Sequence, residues 1–171
     1  MTESKPSGAR SVYTFAALDE SAKEKAREWY RQGNDMPFLS EQLTESVRAK
    51  LEEQGFTVGD GLRVFYSLSY SQGDGLSFSG TIERDGETYK VTQSGHYQHE
   101  MTMDCVRVAE DGNEYECTPV LERCRKIARA VAEEGYKEIE YQNSPAVIDE
   151  ALEANGYTFT SEGVRLDADK A

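Results

Sequence analysis

Apolar residues first recur along this chain with a helical period. Ala22, Ala26, Trp29 and Tyr30 fall on one face of a segment that Asp19 can cap at its amino end and Gly33 can close. The charged residues between them are expected to face solvent. After Pro37, Leu39, Leu43, Val47 and Leu51 repeat every four residues and Gly55 supplies a stop, which predicts a second amphipathic helix. The period then shortens to two. Leu62, Val64, Tyr66, Leu68 and Tyr70 alternate with Arg63, Phe65, Ser67 and Ser69, the pattern of a strand with one apolar face. Beyond the break SQGDG, Leu76, Phe78, Gly80 and Ile82 alternate with Ser77, Ser79, Thr81 and Glu83, so a hairpin partner is expected there.

Asp85-Gly86 is a hairpin-turn dipeptide, because a glycine takes a positive φ without a Cβ clash, and it leads into a strand over 89–93. Asp111-Gly112 repeats the signal between a strand at 101–109 and a short one at 115–117. Pro119 suits a first helical turn, and Leu121, Cys124, Ile127, Ala128 and Val131 trace a helix face that runs to about Glu134. Ser144 and Pro145 announce another helix with Val147, Ile148, Ala151 and Leu152 on its apolar stripe, closed by Gly156. The stretches 157–160 and 164–166, around Glu162-Gly163, then suggest a final hairpin. Helices, then strands, then helices predict an α+β fold with a central antiparallel meander packed by the amino-terminal and carboxyl-terminal helices. One domain over 13–166 is expected, with flexible tails at 1–12 and 167–171.

Charge adds what the pattern lacks. The 171 residues carry 32 acids against 19 Lys and Arg, a formal charge of −13. Direct binding to nucleic acid through phosphate contacts is disfavoured. The excess is uneven: 100–116 holds six acids and one base, 133–153 seven acids and one base, so eleven of the thirteen excess charges lie in two windows. Glu110, Asp111 and Glu114 in the first window, and Glu133, Glu134, Glu138, Glu140, Asp149, Glu150 and Glu153 in the second, are candidate partner-binding residues. Carboxylates so grouped can imitate phosphates and compete for a basic groove on another protein. The plainer reading is a solvated face, since Arg123, Arg125, Lys126 and Arg129 stand between the windows. No apolar run approaches the roughly 18 residues that cross a bilayer, and the amino end lacks a signal-peptide core, so no membrane association and an intracellular location are expected.

Three motifs invite chemistry. Ser71-Gln72-Gly73-Asp74-Gly75 is a candidate binding loop, but it lacks the Lys and Ser or Thr of a phosphate-cradling loop, and a tight turn with Asp74 bonded to its own backbone is the stronger reading. The serines at 67, 69, 77 and 79 would share one sheet face, open to water or a partner. His96 and His99 point to opposite faces of a strand unless Gly95 bends it, so structural roles are expected. Cys105, Cys117 and Cys124 are odd in number and widely spaced, as free thiols in a reducing compartment would be. With no nucleophile elbow or metal-ligand spacing, neither enzyme activity, cofactor nor metal is expected.

The stretches YTFAALDESAKEKAREWYR, YSQGDGLSFSG, HYQHEMTM and ALEANGYTFTSEG, spanning 13–163, resemble a family of small proteins encoded by tailed phages and prophages, sometimes labelled antitoxins. Tyr70 stands where such relatives often carry Trp. The resemblance implies an accessory phage protein in the host cytoplasm and supplies no catalytic residues. The function expected is inhibition of a host defence or nucleic-acid-processing protein with a basic surface. The alternatives are an antitoxin, or a small-ligand or nucleotide binder, even an enzyme, that uses the SQGDG loop.

Overall fold

The computed structural model describes residues 11–34 and 36–166. Of the two expected tails, 1–10 and 167–171 lie outside these residues. The elements in chain order are β1 (Tyr13–Thr14), α1 (Glu20–Gly33), α2 (Leu39–Glu53), β2 (Thr57–Val58), β3 (Arg63–Ser67), β4 (Gly75–Arg84), β5 (Glu87–Gln93), β6 (Met103–Val108), β7 (Glu114–Glu116), α3 (Thr118–Gln142), α4 (Pro145–Ala154), β8 (Thr158–Phe159) and β9 (Arg165–Leu166). Single 3-10 turns occupy Phe15–Ala17 and Glu100–Thr102. The fold is α+β with a central antiparallel sheet. The chain divides into two compact units, Pro37–Glu138 and the combination of Met1–Met36 with Ile139–Ala171.

In the unit over 37–138 the strand order is β2-β4-β5-β6-β7, and β3 pairs with β4 as well. The turn at Asp85 (φ 55) and Gly86 (φ 81) has positive φ at both central residues, the geometry that matches strand twist, and sets Arg84 opposite Glu87. From that register, Ile82, Tyr89, Val91, Met103 and Cys105 share the inner face, and all are buried. They join the buried stripe Leu39, Leu43, Val47 and Leu51 of α2, and Val120, Cys124, Ile127, Ala128 and Val131 of α3. The outer face carries Thr81, Glu83, Lys90, Thr92, Asp104, Glu114 and Glu116, all exposed, as expected of an antiparallel sheet covered on one side.

The second unit is built on α1 and α4. Phe15, Leu18, Ala22, Ala26, Ile148, Leu152 and Phe159 form its core, with Tyr13, Tyr30 and Tyr157 packed against it. The closing hairpin forms as β8 with β9 and is extended by β1 into a three-stranded sheet of its own. Asp19 accepts from the Ala22 amide and Ser144 from that of Val147, so both capping residues act as read.

Four expectations change. Arg27, expected in solvent, is buried, because its guanidinium meets both carboxylate oxygens of Asp149 at 2.7 and 2.9 Å and one oxygen each of Glu20 at 3.0 Å and Glu24 at 3.2 Å. Helix α3 does not stop at Glu134. It continues through the buried Gly135 to Gln142, and a Cβ on that glycine would lie 2.5 Å from Leu68 Cδ1 and 3.3 Å from Leu43 Cδ2. Helix continuity outweighs the low helix propensity of one glycine when close packing needs its hydrogen. Tyr70 is not an inward strand residue, since β3 ends at Ser67 and Tyr70 turns out to 68% exposure; Val64, Tyr66 and Leu68 are half-buried. The serine face is not open either. Ser77 is fully buried, its hydroxyl has no partner among the described residues, and the turn at Glu100–Thr102 packs against β4.

Candidate functional site

The loop between β3 and β4 is organised by one side chain. Asp74 Oδ1 accepts from the Ser67 hydroxyl at 2.9 Å, and Oδ2 accepts from the Ser69 amide at 2.6 Å, the Ser69 hydroxyl at 2.8 Å and the Ser71 amide at 2.8 Å. The Asp74 amide donates back to the Ser71 carbonyl at 3.1 Å. This is the turn read from SQGDG, with Ser67 and Ser69 recruited from outside the motif. The Ser71 amide above all, with the Ser69 and Ser67 donors, holds the Asp74 carboxyl down to about 2, from an ordinary 3.8.

The clamp carries Tyr70 in the left-handed region at φ 61, a conformation that costs a non-glycine residue about 1 to 2 kcal/mol. Its ring is exposed and lies 4.5 Å from that of Tyr136 on α3. Gly73, at φ 83, lies directly against the Tyr97 ring, where any Cβ would collide. Gly75 brings the β4 backbone close to His99, whose Cδ2 would be 3.1 Å from a Cβ there. Two glycines of the motif are therefore close-approach residues that seat the loop on the segment between β5 and β6. That segment exposes Tyr97 and Met101, at 57% and 60%. Behind it, Glu100 accepts from Arg129 Nε of α3 at 2.6 Å. Helical spacing puts Arg129, Glu133 and Tyr136 on one stripe of α3, so an exposed carboxylate stands one turn from the Tyr70–Tyr136 pair.

His99 takes the structural role. Its Nδ1 accepts from the Met101 amide at 3.0 Å, which caps the 3-10 turn and leaves Nε2 as the protonated nitrogen, 3.9 Å from Glu100 Oε1. Burial pushes the Cys105 thiol up to about 12 and raises Cys124 as well, which makes both poor nucleophiles. No group of three or more His, Cys, Asp or Glu with metal-holding geometry occurs among the described residues.

The acidic candidates separate on inspection. Asp149 is committed to Arg27 and Glu114 to Lys90 Nζ at 2.7 Å. Partial burial works to raise the Glu134 carboxyl, but the Ser46 hydroxyl and Lys50 Nζ at 2.9 Å hold it below its ordinary value. Asp111 caps the Asn113 amide at 2.9 Å, and Glu138 and Glu140 are engaged too. Glu110, Glu133, Glu150 and Glu153 are exposed. Glu110, Asp111, Glu114, Glu133, Glu134 and Glu138 belong to the unit over 37–138; Glu140, Asp149, Glu150 and Glu153 belong to the other. Sequence reading missed Tyr97, Met101, Arg129 and Tyr136 as neighbours of the loop. Only the helical spacing of 129, 133 and 136 hinted at a shared stripe.

Asp74 makes a pH prediction. Its value is about 2 in the folded loop against 3.8 unperturbed, so its contribution is fully present above about pH 4 and is lost as pH falls through 2. The Ser69 and Ser71 amide resonances are expected to follow a titration centred near 2, and Asp74→Ala to remove their exchange protection at neutral pH. A midpoint at the ordinary carboxylate value, or protection that survives Asp74→Ala, would show that the clamp is not what orders the loop.

No helix among the described residues is long and apolar enough to cross a membrane. In comparison with known proteins, no family model, no curated protein and no solved structure matches the chain.

Proposed function

We propose that this protein acts without catalysis by binding another protein, and that the rigid patch around Tyr70, Tyr97 and Met101 makes the contact. The observation that carries this reading is Tyr70, an exposed aromatic ring held in a left-handed backbone by a four-donor carboxylate clamp. Strain of this kind persists only where the surroundings impose it, and it gathers at functional sites. An aromatic presented on a fixed loop loses little entropy on binding, which is how Tyr, Ser and Gly surfaces reach useful affinity. Exposed Tyr and Met match the composition of interface centres.

The partner this reading favours is a basic host protein of defence or nucleic-acid processing, approached from the acidic surface of a phage accessory factor. Glu133, one turn from Tyr136, supports it, because complementary charge speeds association more than it adds affinity. Tyr70→Ala with Tyr97→Ala is expected to keep the melting curve within a few degrees and to abolish capture of the partner from host cells. Capture by the unchanged protein should weaken as salt rises. The same partner captured equally by the double variant and at high salt would refute the patch and the charge together. Loss of capture only on Glu133→Gln, with the tyrosine variant unaffected, would move the contact to the carboxylates.

A further inference from the structure

In the unit over 37–138 two cysteines face each other at the edge of the sheet. Strands β6 and β7 pair Val106 with Glu116, Arg107 with Tyr115 and Val108 with Glu114, and the same register carried one step further sets Cys105 opposite Cys117. The ladder makes that step, because the Cys117 amide donates to the Cys105 carbonyl at 3.2 Å. Opposite residues turn their side chains to the same face, here the inner one on which Cys105 is buried. Cys117 is also the point where β7 gives way to α3. Its carbonyl accepts from the Leu121 amide at 3.0 Å, so the backbone is held from both sides.

The thiols differ in access. Cys117 is half-buried, whereas Cys105 and Cys124 are buried, so a reagent in solution meets Cys117 first. Burial above all, and then the charge of a thiolate at Cys117, keep the proton on Cys105. Residues opposite each other at a hydrogen-bonded ladder position have Cα atoms about 5.5 Å apart, inside the span of about 4.4 to 6.8 Å that a disulfide bridges. Their Cβ atoms begin about 5 Å apart, so closure draws them together by about 1 Å. A terminal strand of three exposed residues can make that shift. Cys124 is a poorer partner for Cys117. It lies seven residues further on along α3, a rise of about 10 Å, which is beyond disulfide reach.

We infer that Cys117 is a site of thiol–disulfide exchange with small disulfides of the glutathione class, and that Cys105 resolves the product into a cross-strand disulfide that staples β7 to β6. The Cys117 thiolate attacks one sulfur of the small disulfide, forms a mixed disulfide and expels one thiol. With Cys117 so blocked, the charge that helped keep Cys105 protonated is gone. Cys105 then attacks the Cys117 sulfur and expels the second thiol. It is a weak nucleophile, but the step is intramolecular and the two residues are held opposite each other. The protein gives up two protons and two electrons, which leave on two molecules of reduced thiol.

The full chain is treated with millimolar oxidised glutathione, the remaining thiols are alkylated, and tryptic peptides are read by mass spectrometry without reduction. Arg107 and Arg123 separate the three cysteines, so each falls in its own peptide and every linkage is distinct. Two of the three free thiols are expected to be lost, with Cys105 joined to Cys117 and Cys124 still free. Cys105→Ser should stop at one glutathione on Cys117, and Cys124→Ser should give the same linkage as the unaltered protein. If Cys105→Ser does not fold, the linkage map of the unaltered protein decides alone. Cys124 joined to either partner, a glutathione that stays on Cys117 of the unaltered protein, a dimer linked through Cys117, or three thiols still free would overturn the assignment. The cysteines lie outside the patch around Tyr70, so failure here leaves the protein-binding proposal standing, and the converse holds.

Discussion

Arg27→Met is expected to lower stability by about 2 to 4 kcal/mol, read as a shift of the urea midpoint at unchanged slope. Arg27 is 9% exposed and bonds Asp149 through both oxygens, so removing it leaves that carboxylate, with its side chain only 29% exposed, facing a packed surface without a counter-charge. Breaking a fully buried pair costs about 3 to 5 kcal/mol, and the residual exposure of Asp149 places this one lower. Glu20 and Glu24 share the same guanidinium, so the three carboxylates would also repel one another once it is gone. Arg27→Met together with Asp149→Leu is expected to regain much of the loss, because an apolar pair of similar volume avoids the desolvation penalty. A single variant as stable as the parent would mean that the cluster is an exposed ion pair, worth about 0 to 1 kcal/mol. Arg27 is held above its already high ordinary value, chiefly by Asp149, and therefore brings no titration of its own into the accessible range.

Gly135→Ala should destabilise by about 1 to 2 kcal/mol, although the same exchange in an ordinary helix interior stabilises by about 1. The sign reverses because the new Cβ would meet Leu68 Cδ1 at 2.5 Å and Leu43 at 3.3 Å. Leu68 is half-buried, so it can move at some cost, which keeps the penalty below that of a sealed core. Leu68→Ala in the Gly135→Ala background removes the obstruction. The double variant should therefore be more stable than the sum of the singles by roughly 1 kcal/mol. Additive losses would show that the glycine is not where β3's continuation meets α3.

The elements were legible because each is written in local chemistry. The four-residue repeat from Leu39 to Leu51 can bury one face only as a helix, and all four of these side chains are buried. Asp85-Gly86 can turn in the tight, positive-φ manner that a hairpin needs, and Asp74 in SQGDG can bond its own backbone; both do so. Ser144 and Asp19 cap because their oxygens reach amides three residues on, a distance set by the backbone and independent of the rest of the chain.

What failed to be legible depends on partners far along the chain. Arg27 reads as a surface residue in any helical window, and only the arrival of Asp149 from α4 makes its burial tolerable. Helix α3 reads as running to about Glu134, and its continuation through Gly135 is seen only where that glycine packs against Leu68. The serine alternation in β4 predicted a wet face, but the excursion between β5 and β6 folds over it and buries Ser77. Tyr70 and Tyr136 share no sequence pattern, so their stacking, and with it the candidate patch, came from packing alone. Periodicity and capping are local free energies, and by themselves they determined the α+β order and the turns, while composition alone set the excess of negative charge. Which charges are neutralised, which aromatics stay exposed and which glycines hold two segments together are decided by contacts between distant residues, and only the tertiary structure sets those.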